Sequence, residues 1–124
     1  MKIAVPVVEK TVESTISLSF GRAPYFLIYD ADNKESFFLE NSAAESTGGA
    51  SIKASQIVAD SGVEILITPS CGKNAADTLE AAGIIMYRAL PVSAGENIEA
   101  FFEGKLTELD AVLSGEGGRS SQST

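Results

Sequence analysis

From residue 50 onward the chain alternates short apolar runs with stretches whose apolar residues recur every three or four positions. "ASIKASQIVADSG" sets Ala50, Ala54, Ile57 and Val58 on one helical face and stops at Gly62. "VEILIT" (63–68) is too short for a helix and reads as a buried strand. "GKNAADTLEAAG" predicts a short helix with Ala75, Leu79 and Ala82 inward and Gly83 as its stop. "IIMYRAL" (84–90) predicts another strand. "SAGE" (93–96) offers Ser93 as N-cap with Glu96 three residues on, and Ile98, Phe101, Phe102 and Leu106 give the helix that follows an apolar face. Strand and helix in alternation mean right-handed crossovers, and therefore parallel strands.

The first half adds a different element. "KIAVPVV" (2–8) is a buried strand, and "YFLIYDAD" (25–32) and "ESFFLEN" (35–41) predict an antiparallel hairpin turning at Asp32–Asn33. The order β-β-β-α-β-α-β-α gives an α/β fold with a mixed five-stranded sheet covered by helices. Sites in such sheets lie beyond the carboxyl ends of the parallel strands. Three segments meet that description: the loop after Val8, the turn Thr68–Lys73, and the end of strand 84–90. At 124 residues there is room for one core. A single domain is expected over 1–113, with a flexible tail over 114–124, where "SGEGGRSSQST" lacks apolar residues.

Composition then removes most chemistry. There is no histidine and only one cysteine. Ser–His–Asp and Cys–His catalysis, His-ligated zinc, cysteine-rich zinc and four-cysteine iron–sulfur sites all fall away. A non-enzyme is expected. A net charge of −8 argues against nucleic acid, which is held by clustered Lys and Arg. No apolar run reaches the roughly 18 residues of a membrane span, and the N-terminus lacks a signal-peptide pattern. The expected location is the cytoplasm.

Cys71 follows a strand and precedes a helix start. The helix dipole and the neighbouring Lys73 would lower its pKa and favour a thiolate able to ligate a soft metal or a metal–sulfur cluster. A phosphatase-like nucleophile would need an arginine about six residues later, where Asp77 stands. The plain alternative is a small residue in a tight turn. In "SFGRAPYF" (19–26), Gly21 and Pro24 impose backbone shape, Arg22 can bind anions, and Phe20 walls a pocket or packs inward. "STGGAS" (46–51) places Gly48 and Gly49 at a helix entrance, whose free N–H groups can hold an anion. It matches no nucleotide-binding motif.

Taken together, "KIAVPVV", "FGRAPYFLIYD", "GGASIKASQIVADSGVEILIT", "CGKNAADTLEAAGIIMY" and "NIEAFFEGKLTEL" resemble the dinitrogenase iron–molybdenum cofactor biosynthesis family over about residues 1–110. The resemblance implies a ribonuclease H-like three-layer α/β/α fold. It also implies non-catalytic binding or delivery of an anionic iron–sulfur or molybdenum–sulfur cluster, with a cofactor-assembly protein as partner. Phe20, Gly21 and Arg22 match the family's loop motif, and Gly72 matches its helix-starting glycine. The family often carries a histidine where Ser19 stands and another near "STGG", so histidine ligation does not carry over. Cys71 then becomes the candidate metal ligand, with Arg22, Lys53, Lys73 and Arg88 around the cluster's sulfides. The rival reading keeps the fold as a protein-interaction or small-anion-sensing module without metal.

Overall fold

The computed structural model describes residues 1–109. The expected tail over 114–124, and the last four residues of the domain expected over 1–113, lie outside the described residues. Strand β1 spans Lys2–Val7, β2 Tyr25–Asp30 and β3 Glu35–Glu40; helix α1 spans Ala50–Asp60, β4 Ile65–Thr68, α2 Lys73–Ala81, β5 Ile85–Arg88 and α3 Ala94–Phe102. One unforeseen element, a 3₁₀ turn over Ser42–Glu45, interrupts the loop before α1.

The sheet order is β3-β2-β1-β4-β5. β1 pairs antiparallel with β2 and parallel with β4, and β5 continues the parallel half. This is the mixed five-stranded sheet that the strand pattern implies. β1 is apolar from Ile3 to Val7 because both its faces are covered there. Ala4 faces the core shared with α1 and α2, while Ile3, Val5 and Val7 face the core under α3. The layers are therefore α1 and α2, sheet, and α3.

Several boundaries differ from the sequence reading. β2 stops at Asp30, not 32, because the Asp30 carboxylate accepts from the Asp32 N–H (2.9 Å) and starts the turn early. Lys34, rather than a residue of the Asp32–Asn33 pair, takes the left-handed conformation (φ 59°). Ala82 is the exposed C-cap of α2, and Ala76 takes the inward place given to it. α3 ends before Gly104 (φ 74°), so Leu106 lies past the helix and Phe102 is left 52% exposed. The expected capping box at the start of α3 is present, Ser93 Oγ accepting from the Glu96 N–H and Glu96 Oε1 from the Ser93 N–H. None of the helices described here is long and apolar enough to cross a membrane.

The parallel ladder between β1 and β4 covers Ile3↔Ile65 and Ala4↔Leu66. Further along, the Ser17 N–H donates to the Pro6 carbonyl (2.9 Å) and Val7 bridges Ile16. Pro6, with no N–H to offer a ladder, stands where the strand changes partner. The loop from Val8 to Pro24 thus replaces β4 beside the end of β1 and crowns the carboxyl ends of the parallel strands.

Asn97 lies wholly buried on α3. Its Oδ1 accepts from the Leu90 N–H (2.8 Å), and its Nδ2 donates to the carbonyls of Leu90, Val92 and Ser93 (3.1, 3.2 and 3.0 Å). One side chain therefore fixes the whole β5–α3 turn. Asn97→Ala leaves a buried N–H without its acceptor and is expected to lower stability by about 2–3 kcal/mol. Urea denaturation checks this; a loss within experimental error would show that the turn is held by its own backbone.

Candidate functional site

A polar cavity of about 420 Å³ opens between the N-termini of α1 and α2. Its walls are Gly49–Ile52 from one helix start, Gly72–Ala75 from the other, and Ser19 and Arg22 from the crowning loop. Both N-caps are glycines, Gly49 in the left-handed region (φ 69°) and Gly72 extended, and neither helix has a side-chain cap. The first-turn amides of an α-helix have no partner within the helix. Lys53 and Ala76 are the first residues whose N–H closes a helical turn, onto the Gly49 and Gly72 carbonyls. Two sets of open amides, each at the positive end of a helix dipole, therefore converge on one cavity.

The charges lining the cavity are Arg22 and Lys73, with no carboxylate among its walls, although the chain carries −8 overall. Arg22 Nη1 donates to the carbonyls of Ala44 and Ser46 (2.9 and 2.8 Å), so the guanidinium is fixed in place with N–H groups to spare. Lys73 Nζ pairs with Asp77 Oδ2 at 3.0 Å across one exposed helical turn. Such exposed pairs are weak, worth about 0.3–0.5 kcal/mol, and leave the amine available.

Two residues hold the Arg22 loop. At Gly21 a Cβ would stand 2.9 Å from both Cα and N of Ser51, so only glycine lets the loop touch the first turn of α1. Asn41, buried, donates from Nδ2 to the Gly21 and Ala23 carbonyls (3.1 and 2.8 Å), and its Oδ1 accepts from the Ala43 N–H (3.1 Å). Asn41 was not foreseen as a site residue. Its signal is its type, a good cap residue standing between a strand end and "SAAE".

Of the residues anticipated from sequence, Arg22, Gly49 and Lys73 are brought together at the cavity. Gly21 shapes it from behind. Gly48 is exposed beside it with open space around it, and Lys53 reaches Ser46 Oγ at 3.4 Å. Arg88 ends β5 on the outer edge of the sheet, where its N–H donates to the Thr107 carbonyl, and it is not part of the wall. Phe20 is no pocket wall: it is 4% exposed and packs against Phe26 in the core, ring centroids 5.4 Å apart and planes tilted by 45°.

The expectation of a Cys71 thiolate is corrected. The side chain is buried in the core beneath α2. Burial pushes the thiol up, and the Glu80 carboxylate pushes the same way, from 9.0 to about 11. The sulfur sits among apolar side chains, where loss of hydration favours the neutral thiol. Among the described residues, no group of three or more His, Cys, Asp or Glu comes together to hold a metal ion.

These features define an α/β domain with a polar cleft, lined by two cations and two uncapped helix starts, at the carboxyl ends of its parallel strands. Comparison with known proteins agrees on the fold and names the family. The family model described as "Dinitrogenase iron-molybdenum cofactor" matches residues 1–104, and the chain belongs to that family. An uncharacterized protein of Methanocaldococcus jannaschii is 31% identical over 113 residues, 89% of this chain and 92% of that protein. The apo form of the orange protein from Desulfovibrio gigas is similar in structure at TM-score 0.84 and 28% identity, covering 89% of this chain and 93% of that one. A NifB-like Thermotoga protein reaches TM-score 0.77 and 37% identity, over 96% of this chain and 98% of the other.

A rise from 9.0 to about 11 lowers the thiolate population near pH 8 about 100-fold. Iodoacetamide is therefore expected to alkylate Cys71 in the folded chain at least that much more slowly than in urea, with the rate still climbing above pH 10. Equal rates in the two states would overturn the buried, neutral thiol.

Proposed function

We propose that the chain is a non-catalytic holder of an anionic metal–sulfur cluster, which it carries as cargo for delivery to a cofactor-assembly protein. The observation that carries this reading is the pair of uncapped helix N-termini sharing one cavity with Arg22. A cluster's outer sulfides bear negative charge spread over several atoms. Amides arriving from two directions, plus a guanidinium, suit such a body better than they suit a single metal ion. The cargo is held by charge and N–H···S contacts, and no protein atom needs to enter the metal's coordination shell. Cys71 serves as a small neutral residue under α2. Membership of the iron–molybdenum cofactor family supports the metal–sulfur identity of the anion.

Anaerobic reconstitution with iron, sulfide and tetrathiomolybdate, followed by gel filtration and metal analysis, tests the reading. The wild type and Cys71→Ser are both expected to retain metal and its visible charge-transfer bands. Arg22→Ala is expected to weaken retention about 10- to 100-fold, as befits lost charge-assisted hydrogen bonds. Asp77→Asn, which frees Lys73, is expected to tighten it. Retention that vanishes in Cys71→Ser would replace this account with thiolate ligation. Binding of molybdate or sulfate in place of the thiometallate would favour a small-anion sensor.

A further inference from the structure

The polar cavity has a roomier neighbour at this end of the sheet. A groove of about 780 Å³ lies on the α3 side of the same sheet end, between the crowning loop and the β5–α3 turn. Val8, Leu18, Leu90 and Val92 line it, and these are four of the ten large apolar side chains left exposed among the described residues. Scattered exposed apolar residues are ordinary, but a cluster of them in one groove marks a place where something docks.

Both walls are fixed. Asn97 clamps the turn Leu90–Ser93 with four hydrogen bonds. Opposite, Ser14 Oγ accepts from the Val8 and Glu9 N–H groups (both 3.1 Å), while the Val12 and Ser14 carbonyls accept from the N–H groups of Gly95 and Ala94. Leu18 is 82% exposed, yet its neighbours are tied down: the Ser17 N–H to Pro6 O and the Ser17 Oγ to Ser19 O. The leucine is held outward by its backbone. A rigid apolar groove of this size loses little entropy on binding and excludes water from what enters it.

Charge selects the occupant. The charged residue in the groove wall is Glu13, no Lys or Arg lines it, and the whole chain carries −8. A second copy would bring Glu13 against a surface of the same net sign, and an anionic lipid surface would meet the same repulsion. We propose that the groove docks a segment of another protein that bears apolar side chains flanked by lysine or arginine. The groove does not depend on what the polar cavity holds. Leu18 is nevertheless followed directly by Ser19, which lines that cavity, so the docked segment lies one residue along the same loop.

The probe is a pair of short amphipathic peptides with the same leucines, one carrying lysines and the other glutamates, titrated into the ¹⁵N-labelled chain. The lysine peptide is expected to bind about tenfold or more tighter than its acidic twin and to shift amides at 8, 15–18, 90, 92 and 93. Leu18→Ser, a change at an exposed side chain, is expected to weaken it about tenfold. Equal binding of both peptides, shifts elsewhere, or indifference to Leu18→Ser would overturn the proposal. So would a dimer in sedimentation that Leu18→Ser dissociates, which would make a second copy the occupant, or tight binding to phosphatidylserine vesicles.

Discussion

The approach of Gly21 to the backbone of Ser51 is the constraint on which the site depends. With no space for a Cβ, the crowning loop is pressed onto the first turn of α1. Arg22, the next residue, must then stand at the helix mouth, where its guanidinium also ties down the Ala44 and Ser46 carbonyls. Asn41 closes the arrangement from the buried side by holding the Gly21 and Ala23 carbonyls. A larger residue at 21 would force the loop and helix apart, an overpacking that typically costs about 1–3 kcal/mol. It would also separate the cation from the amides it stands beside. Stability and site geometry rest on the same contact.

The three helices differ in a way that bears on function. α3 is closed by a reciprocal capping box, and the 3₁₀ turn before α1 is capped by Asn41. α1 and α2 are capped by nothing but glycine backbone. Glycine at an N-cap costs only a few tenths of a kcal/mol relative to the best cap residues, so leaving both ends open is cheap for the fold. Its consequence is chemical: the open amides of both helices face one polar cavity, in which Arg22 and Lys73 are the charged side chains. Burial of Cys71 has the complementary effect of keeping the nearest thiol neutral.

Much of the fold was legible because its periods are clean. The shifts between short apolar runs and a 3.6-fold apolar pattern located every strand and α-helix among the described residues, and the parallel half followed from their alternation. Gly72 and Gly49 could be placed at helix starts by the same logic. What escaped was polar. Asn97 reads as an ordinary helical residue, although it stands on the stripe made by Ala94, Ile98 and Phe101, and that placement was a usable sign of a buried clamp. Cys71 misled because sequence gives the helix start but not the depth of the side chain. Arg88 misled because charge and strand end were visible, while its distance from the cavity wall depended on sheet order.

The central claim is that two helix N-termini act as one anion site. Titrating the ¹⁵N-labelled chain with tetrathiomolybdate under anaerobic conditions tests it most directly. The amides of Ala50–Ile52 and Lys73–Ala75 are expected to shift together along a single saturation curve, with the Arg22 side-chain N–H signals moving alongside. Shifts confined to one helix, or spread over surface lysines far from the cavity, would contradict the account.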